Sequence, residues 1–328
     1  MNIVVIGAAG MLGRKLVAAM IDKGELRGKR IERLTLADIV APDAPRFDGK
    51  VETVGVDLSE PGIAETLVAS RPDVIFHLAA IVSGEAEADF EKGYRVNLDG
   101  TRTLFEAIRK AGFDAPYCPR VVFTSSIVVF GEPLPDVIDD SHCLTPLTSY
   151  GTQKAMCELL LADYSRRGFL DGVGIRLPTI SIRPGKPNMA ASGFFSSIIR
   201  EPLIGQEAVL PVSDTVRHWF ASPRAAVGFM LRAAELDTAR LGARRTITMP
   251  GLSATVGEQI EALRRVAGDG AASLIRREAN PTIAGIIAGW PQNFSARRAA
   301  ELGFEAEQNF DEIIRVHIED ELGNALPR

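Results

Sequence analysis

The chain is poor in the residues that build metal centres and covalent cross-links. Its 328 residues include four histidines and three cysteines. His77, His142, His218 and His317 never fall into an H-x-x-H or H-x-x-x-H spacing, so no metal site is expected. Cys118, Cys143 and Cys157 are odd in number and share no metal-type spacing, which points to reduced thiols rather than a disulfide framework. No apolar run is long enough to span a bilayer. The N-terminus opens on a strand pattern, Asn2-Ile3-Val4-Val5-Ile6, without the charged start and cleavage site of a signal peptide. A cytoplasmic protein is therefore expected. Basic charge is also short: 37 Lys and Arg face 42 Asp and Glu, for a net charge of −5. Such a chain gains no electrostatic help in binding nucleic acid or an anionic membrane. Neither is expected as a partner, and any anionic ligand needs a local site. Internal repeats and low-complexity segments are missing as well.

What is present is an alternation. Hydrophobic residues make up 46% of the chain, enough for a large core and about two domains by length. Strand patterns occupy Met1–Ile6, Arg33–Ala37, Val51–Val56, Val74–Leu78, Arg120–Thr124 and Gly174–Ile182. Helical patterns occupy Met11–Lys23, Asn97–Ala111 and Ser149–Tyr164. Apolar strands separated by amphipathic helices indicate a parallel sheet covered on both faces, and right-handed crossovers make it an α/β, doubly wound Rossmann fold. After about Pro184 the alternation breaks. Helices are expected at Ser222–Leu236, Val256–Val266, Phe294–Leu302 and Phe310–Glu321, with a strand at Arg245–Met249. The expected division is 1–183 as the nucleotide-binding domain carrying the catalytic residues. Residues 184–328 then form a smaller α/β substrate lid, with some elements returning to the first domain.

Gly7-Ala8-Ala9-Gly10-Met11-Leu12-Gly13 follows the first strand and opens the first helix. Gly7 suits the tight turn, Gly10 the approach of a pyrophosphate, and Gly13 the close packing of helix on sheet. The N–H groups of Met11 and Leu12 at the helix start suit phosphate oxygens. Asp38, ending the second strand, is placed to accept bonds from the adenosine ribose hydroxyls, and its charge opposes a 2′-phosphate. NAD is expected rather than NADP, although Arg14 near the loop is a cation that tolerates the extra phosphate. Asp57-Leu58 follows the third strand and is expected at the adenine. Leu78-Ala79-Ala80 follows the fourth and is expected at the pyrophosphate and ribose.

Thr124-Ser125-Ser126 puts a hydroxyl at the C-terminal edge of a parallel strand, where ligands bind in such folds. In Tyr150-Gly151-Thr152-Gln153-Lys154 a tyrosine and a lysine stand four apart on one helix face. A free tyrosine is a poor base at neutral pH; making its phenolate useful there takes roughly 3–4 kcal/mol. A lysine ammonium and an oxidised nicotinamide, both positive, are able to supply that. Alone, Tyr-x-x-x-Lys is common on surface helices. Following a serine-ended strand and a phosphate loop, it reads as a catalytic pair.

These motifs together resemble the extended short-chain dehydrogenase/reductases over nearly the whole chain. The resemblance rests on the phosphate loop, Ser125-Ser126-Ile127-Val128-Val129-Phe130-Gly131 and Tyr150-Gly151-Thr152-Gln153-Lys154. It extends to Asn97-Leu98-Asp99-Gly100-Thr101, Arg183-Pro184-Gly185 and Ala299-Ala300-Glu301-Leu302-Gly303-Phe304. It implies Ser126 as the substrate-orienting hydroxyl, Tyr150 as the acid/base, and Lys154 as the holder of the nicotinamide ribose. It also implies Asn97 as a helix-distorting or relay residue on the cofactor side, and Leu177-Pro178-Thr179 at the nicotinamide end. A homodimer through the Asn97–Ala111 and Ser149–Tyr164 helices is common among such enzymes.

Departures from the family pattern narrow the reaction. Dehydratases of the family carry an Asp-Glu pair after the catalytic hydroxyl; Ile127 and Val128 stand there and cannot move protons. The epimerase segment Arg-Asp-Phe/Tyr-Ile-His-Val is replaced by Arg217-His218-Trp219-Phe220-Ala221-Ser222, which suggests a smaller substrate. Arg217 suits a carboxylate, with an inter-domain salt bridge as the equally plain reading. Ser83 suits a substrate hydroxyl, with a loop bond as the plainer reading. The segment Gly185-Lys186-Pro187-Asn188-Met189-Ala190-Ala191-Ser192-Gly193-Phe194-Phe195 and Arg217-His218-Trp219-Phe220 resemble a branch of the family that oxidises four-carbon sugar acids at C2. The expected activity is transfer of a hydride from such a secondary alcohol to NAD. Two alternatives stay open: a nucleotide-sugar epimerase with tightly held NAD, and a catalytically silent NAD-sensing protein.

Overall fold

A computed structural model describes residues 1–185 and 192–325. The described chain falls into two compact units. The first comprises Met1–Val129, Thr148–Arg176 and Val227–Thr248; the second comprises Phe130–Leu147, Leu177–Ala226 and Met249–Arg328. The expected cut at residue 183 is thus not where the chain divides. Residues 130–147 group with the second unit, and a later stretch returns to the first.

The first unit is built on a seven-stranded sheet. Its strands are β1 (Asn2–Ile6), β2 (Arg33–Asp38), β3 (Lys50–Gly55), β4 (Val74–His77), β5 (Arg120–Ser126), β6 (Asp171–Leu177) and β7 (Thr246–Thr248). Their order is β7-β6-β5-β4-β1-β2-β3, and the β1 pairings with β2 and with β4 are both parallel. The order reverses at β1, so a crevice opens beyond the C-terminal ends of β1 and β4, the usual ligand site of such sheets. The interior strands are buried along their length because both faces are covered. Helix α1 (Met11–Lys23) buries Gly13, Leu16, Val17 and Met20, a helical stripe. Helix α2 (Gly100–Ala111) buries Leu104, Phe105, Ala107 and Ile108. These join Val4, Ile6, Ile75, Val121 and Phe123 of the sheet and Cys157 and Leu161 of helix α3 (Ser149–Arg166) in one core.

Three local differences from the sequence reading have physical causes. The Asn97–Ala111 helix begins with a π-helical turn, Tyr94–Asp99, before α2 proper. The Gly174–Ile182 strand is interrupted at Pro178, which has no N–H for a ladder. Residues beyond it, Thr179–Ile180, pair with Arg217–Ala221 in another sheet. Phe294–Leu302 is not a helix throughout: Phe294–Ser295 pairs with Ile138–Asp139, and only Arg297–Glu301 is helical.

The second unit contains a three-stranded sheet, ordered Thr179–Ile180, Arg217–Ala221, Leu252–Thr255. Helix Val256–Ser273 starts at a capping box in which Thr255 Oγ accepts from Glu258 N–H and the Glu258 carboxylate accepts from Thr255 N–H. Its buried Val256, Ile260 and Leu263 meet Phe195, Ile198, Phe220, Phe310 and Ile314. The Gly185–Phe195 segment that supports the sugar-acid resemblance includes 186–191, which lie outside the described residues.

Candidate active site

The glycine loop is shaped by contact as well as by turn geometry. Gly7 has φ of +94°, and a Cβ on it would stand 2.7 Å from Ala79 N. A Cβ on Gly13 would stand 2.7 Å from Ala8 Cα and closer still to Gly7 O. Gly10 is different: its Cβ would meet only Gly7 O, at 3.3 Å, on the exposed side of the loop. Gly10 supplies no side-chain cap for α1, and the first turn carries no acidic residue. The N–H groups of Met11, Leu12 and Gly13 have no acceptor within the helix and carry its positive end. Asp38 sits against this loop. Its Oδ2 accepts from Ala9 N–H at 2.9 Å and its Oδ1 from Ile39 N–H at 2.7 Å, leaving a second lone pair on each oxygen. Arg14 donates to the carbonyl of Ala9 in the same loop.

Leu78, Ala79 and Ala80 follow β4 half-buried, and Leu78 N–H and Ala79 N–H both donate to Ile6 O. Asp57 is engaged within the protein: Oδ1 accepts from Ser59 N–H and Oγ, and Oδ2 pairs with Arg95 at 3.2 Å. Partial burial pushes the Asp57 carboxyl up, but the Ser59 bonds and the Arg95 guanidinium outweigh it and hold the pKa below the ordinary value. Leu58 beside it is buried.

Ser126, Tyr150 and Lys154 lie where β5 ends against the start of α3. Thr148 caps α3 by accepting from Gly151 N–H at 3.0 Å. That cap starts the helix so that Tyr150 and Lys154 share a face one turn apart. Lys154 is 2% exposed, and its Nζ donates to Thr124 O at 2.8 Å. The ammonium stands 5.7 Å from the Tyr150 ring centroid and 4.7 Å from that of Phe123. Burial pushes Lys154 down to about 8, against the opposing influence of Cys157 and Glu158. It is therefore still mostly an ammonium at neutral pH. Tyr150 and Ser126 are half-buried, so both remain reachable. Ile127 and Val129 are buried in a 3₁₀ turn after Ser126, an apolar continuation with no proton-carrying group.

Several residues at this centre escaped the sequence reading. His77, ending β4, is fully buried and bonded through Nε2 to Thr101 Oγ at 2.8 Å. Burial first, and the Lys154 charge second, push it down to about 3, so it is neutral. Gln153 Oε1 accepts from Asn97 Nδ2 at 2.8 Å, and Asn97 Oδ1 accepts from Ile81 N–H at 2.9 Å. Asn97 is thus the pivot of the π turn, and its side chain is engaged by Ile81 and Gln153. Glu158 is buried and ion-paired with Arg176 at 2.7 Å. A spacing of four from Lys154 was the available signal for Glu158; the others carried none.

Ser83 begins a short helix, Ser83–Ala88, and is half-buried. Leu177, Thr179 and Arg217 belong to the second unit. Thr179 Oγ bonds to His218 Nε2 at 2.7 Å, an anchor the sequence did not reveal. Arg217 pairs with Glu258 at 3.3 Å and donates to Ser253 O at 3.1 Å; both partners belong to its own unit, so this pair is not the inter-domain bridge expected as the alternative.

Residues 3–238 match the model of the NAD dependent epimerase/dehydratase family. The chain belongs to this family. It is 48% identical over 324 residues to the D-erythronate dehydrogenase of Cupriavidus necator, covering 98% of both chains. It is 43% identical over 319 residues to that of Haemophilus influenzae, covering 97% of this chain and 99% of the other. A solved structure described as the nucleoside-diphosphate-sugar epimerase from Agrobacterium tumefaciens is 66% identical, with a TM-score of 0.98 over 100% of this chain and 96% of that one.

The family cofactor is NAD, and this loop fits it. A Cβ on Gly10 would meet no protein atom but Gly7 O, so the space beside it is otherwise open and suits a diphosphate. The uncapped α1 supplies N–H groups to the same space. Asp38 adds unfilled acceptor sites at the end of β2, where ribose hydroxyls bind in this family's fold.

Proposed function

We propose that this member of the NAD dependent epimerase/dehydratase family is a dehydrogenase of small sugar acids, and that it oxidises D-erythronate at C2 to 2-oxo-D-erythronate. The observation that carries the reading is the Tyr150–Lys154 pair beside the Ser126 end of β5, in a chain close to two D-erythronate dehydrogenases over nearly its full length. Bound NAD supplies the two-electron acceptor for the carbinol carbon. Ser126 and Tyr150 hold the substrate hydroxyl between them. Tyr150 phenolate removes its proton. Lys154, fixed by the Thr124 carbonyl, favours that phenolate by charge. Leu78 to Ala80 and Asp38 hold the nucleotide, Leu177 and Thr179 border its reactive end, and Asn97 shapes the helix beside it. Ser83 and Arg217 are assigned to the substrate, Arg217 exchanging Glu258 for the acid's carboxylate. A homodimer through α2 and α3 completes the reading; light scattering reads its mass directly.

The described epimerase at 66% identity supports a second reading, in which NAD is reduced and reoxidised within one cycle. A single assay separates them. With NAD and D-erythronate, the dehydrogenase forms NADH in proportion to substrate consumed. An epimerase converts a nucleotide sugar with no net NADH. Absence of NADH across a panel of C4 sugar acids would sink the first reading.

A further inference from the structure

Two of the last three residues of β5 bond directly to helix α3. Thr124 accepts the Lys154 ammonium through its carbonyl, at 2.8 Å. Ser125 donates its hydroxyl to Glu158 Oε1 at 2.5 Å. Ser126 ends the strand as the substrate hydroxyl. Glu158 stands four residues after Lys154, hence on the same face of α3. Its carboxylate also receives Arg176 Nε at 3.0 Å and Nη2 at 2.7 Å, a two-pronged contact from β6. Arg176 reaches on to Thr248 Oγ of β7 at 3.3 Å. One carboxylate therefore ties α3 to β5 and, through Arg176, to β6 and β7.

A buried ion pair is a poor source of net stability, because desolvating both charges costs about as much as their attraction returns. A better-attested effect of such pairs is fixing register. Here the two parts held in register are the strand end that carries Ser126 and the helix that carries Tyr150 and Lys154. Resting on the catalytic reading above, we propose that Ser125, Glu158 and Arg176 form a buried positioning clamp that sets the Ser126–Tyr150–Lys154 geometry for proton removal. Ser125 is the clamp's neutral element, so it is testable without changing charge. The charged and titratable groups around Lys154 are Tyr150, Cys157 and Glu158 on its own helix, His77 on β4, and Arg176 of β6 behind Glu158; a change at Ser125 alters the identity of none of them.

The test compares Ser125→Ala, Ser125→Thr and Glu158→Gln in the full chain with NAD bound. In Ser125→Ala, kcat for D-erythronate falls about tenfold, the loss expected for about 1.4 kcal/mol of misplacement. KM, NAD affinity and Tm stay close to the parent. Ser125→Thr, which keeps the hydroxyl, restores most of kcat. Glu158→Gln loses more kcat than Ser125→Ala. A second readout needs no turnover: the phenolate titration of Tyr150, taken as an ultraviolet difference against Tyr150→Phe. Its midpoint rises in Ser125→Ala by about half a pH unit, a threefold change, and returns in Ser125→Thr. Parent-like kcat and midpoint in Ser125→Ala overturn the clamp. A parent enzyme that forms no NADH from D-erythronate overturns the substrate reading instead; the titration then still decides the clamp.

Discussion

At the scale of single residues, burial sets the chemistry. Lys154 is an ammonium whose proton is loosened by desolvation to about 8, while the Thr124 carbonyl holds it in place. In the proposed mechanism, losing that proton removes the charge that favours the Tyr150 phenolate. The expected outcome is a fall of kcat/KM above about pH 8, read from a pH profile of the free enzyme. A profile flat well past that pH would count against Lys154 as the tuning charge. Tyr150→Phe should cost at least ~10²-fold in kcat, the scale of general acid–base catalysis, while NAD binding by fluorescence persists. Near-parent turnover would remove Tyr150 from the chemistry. His77 gives a stability prediction. Its folded pKa of about 3 lies below the unfolded value of 6.5, so the unfolded chain binds the extra proton between those values. Stability due to neutral His77 is present above pH 6.5 and is lost as pH falls towards 3. Denaturant titrations should show a weaker acid-side slope in His77→Gln than in the parent. Of these three residues, the pairing of Tyr150 with Lys154 on one helix face was legible because it follows from a spacing of four. His77 was not, since one histidine in an apolar strand looks the same whether bonded to Thr101 or to nothing.

Among the elements, the glycine loop offers the sharpest contrast. Gly13→Ala forces a methyl into the Ala8 backbone, and overpacking of that kind costs ~1–3 kcal/mol. Gly10→Ala meets only Gly7 O, so its loss of stability should be small. NAD affinity should nonetheless drop in Gly10→Ala, because the methyl would occupy the space proposed for the diphosphate. Calorimetry of both variants with NAD checks this pairing; unchanged affinity in Gly10→Ala would mean that the diphosphate lies elsewhere. The long elements of the first unit were readable from period alone, as with Met11–Lys23 and β5. The π turn at Tyr94–Asp99 was not readable from period; only the family resemblance pointed to a distortion at Asn97, whose partner Ile81 lies 16 residues away. Short strands such as Ala208–Leu210 and Ile275–Arg277 escaped too, since three residues carry no measurable alternation.

For the whole molecule, the decisive measurement is redox balance. Net NADH from D-erythronate marks a dehydrogenase; a nucleotide sugar interconverted without NADH marks an epimerase. Asp38→Ala with NAD and NADP side by side tests the coenzyme preference. Removing the carboxylate should lower the NAD to NADP ratio of kcat/KM, and an unchanged ratio would remove Asp38 from the ribose site.

Sequence by itself determined the alternation of strand and helix, the glycine loop and the Tyr150–Lys154 spacing, because each is a local pattern whose physics acts within a few residues. Tertiary structure alone decided that Glu158 is clamped by Ser125 and Arg176, that Asn97 binds Ile81 and Gln153, and that β7 returns from residue 246 to pair with β6. Those partners lie 16 or more residues apart, and only closure of the sheet brings a buried polar group to the one neighbour that satisfies it.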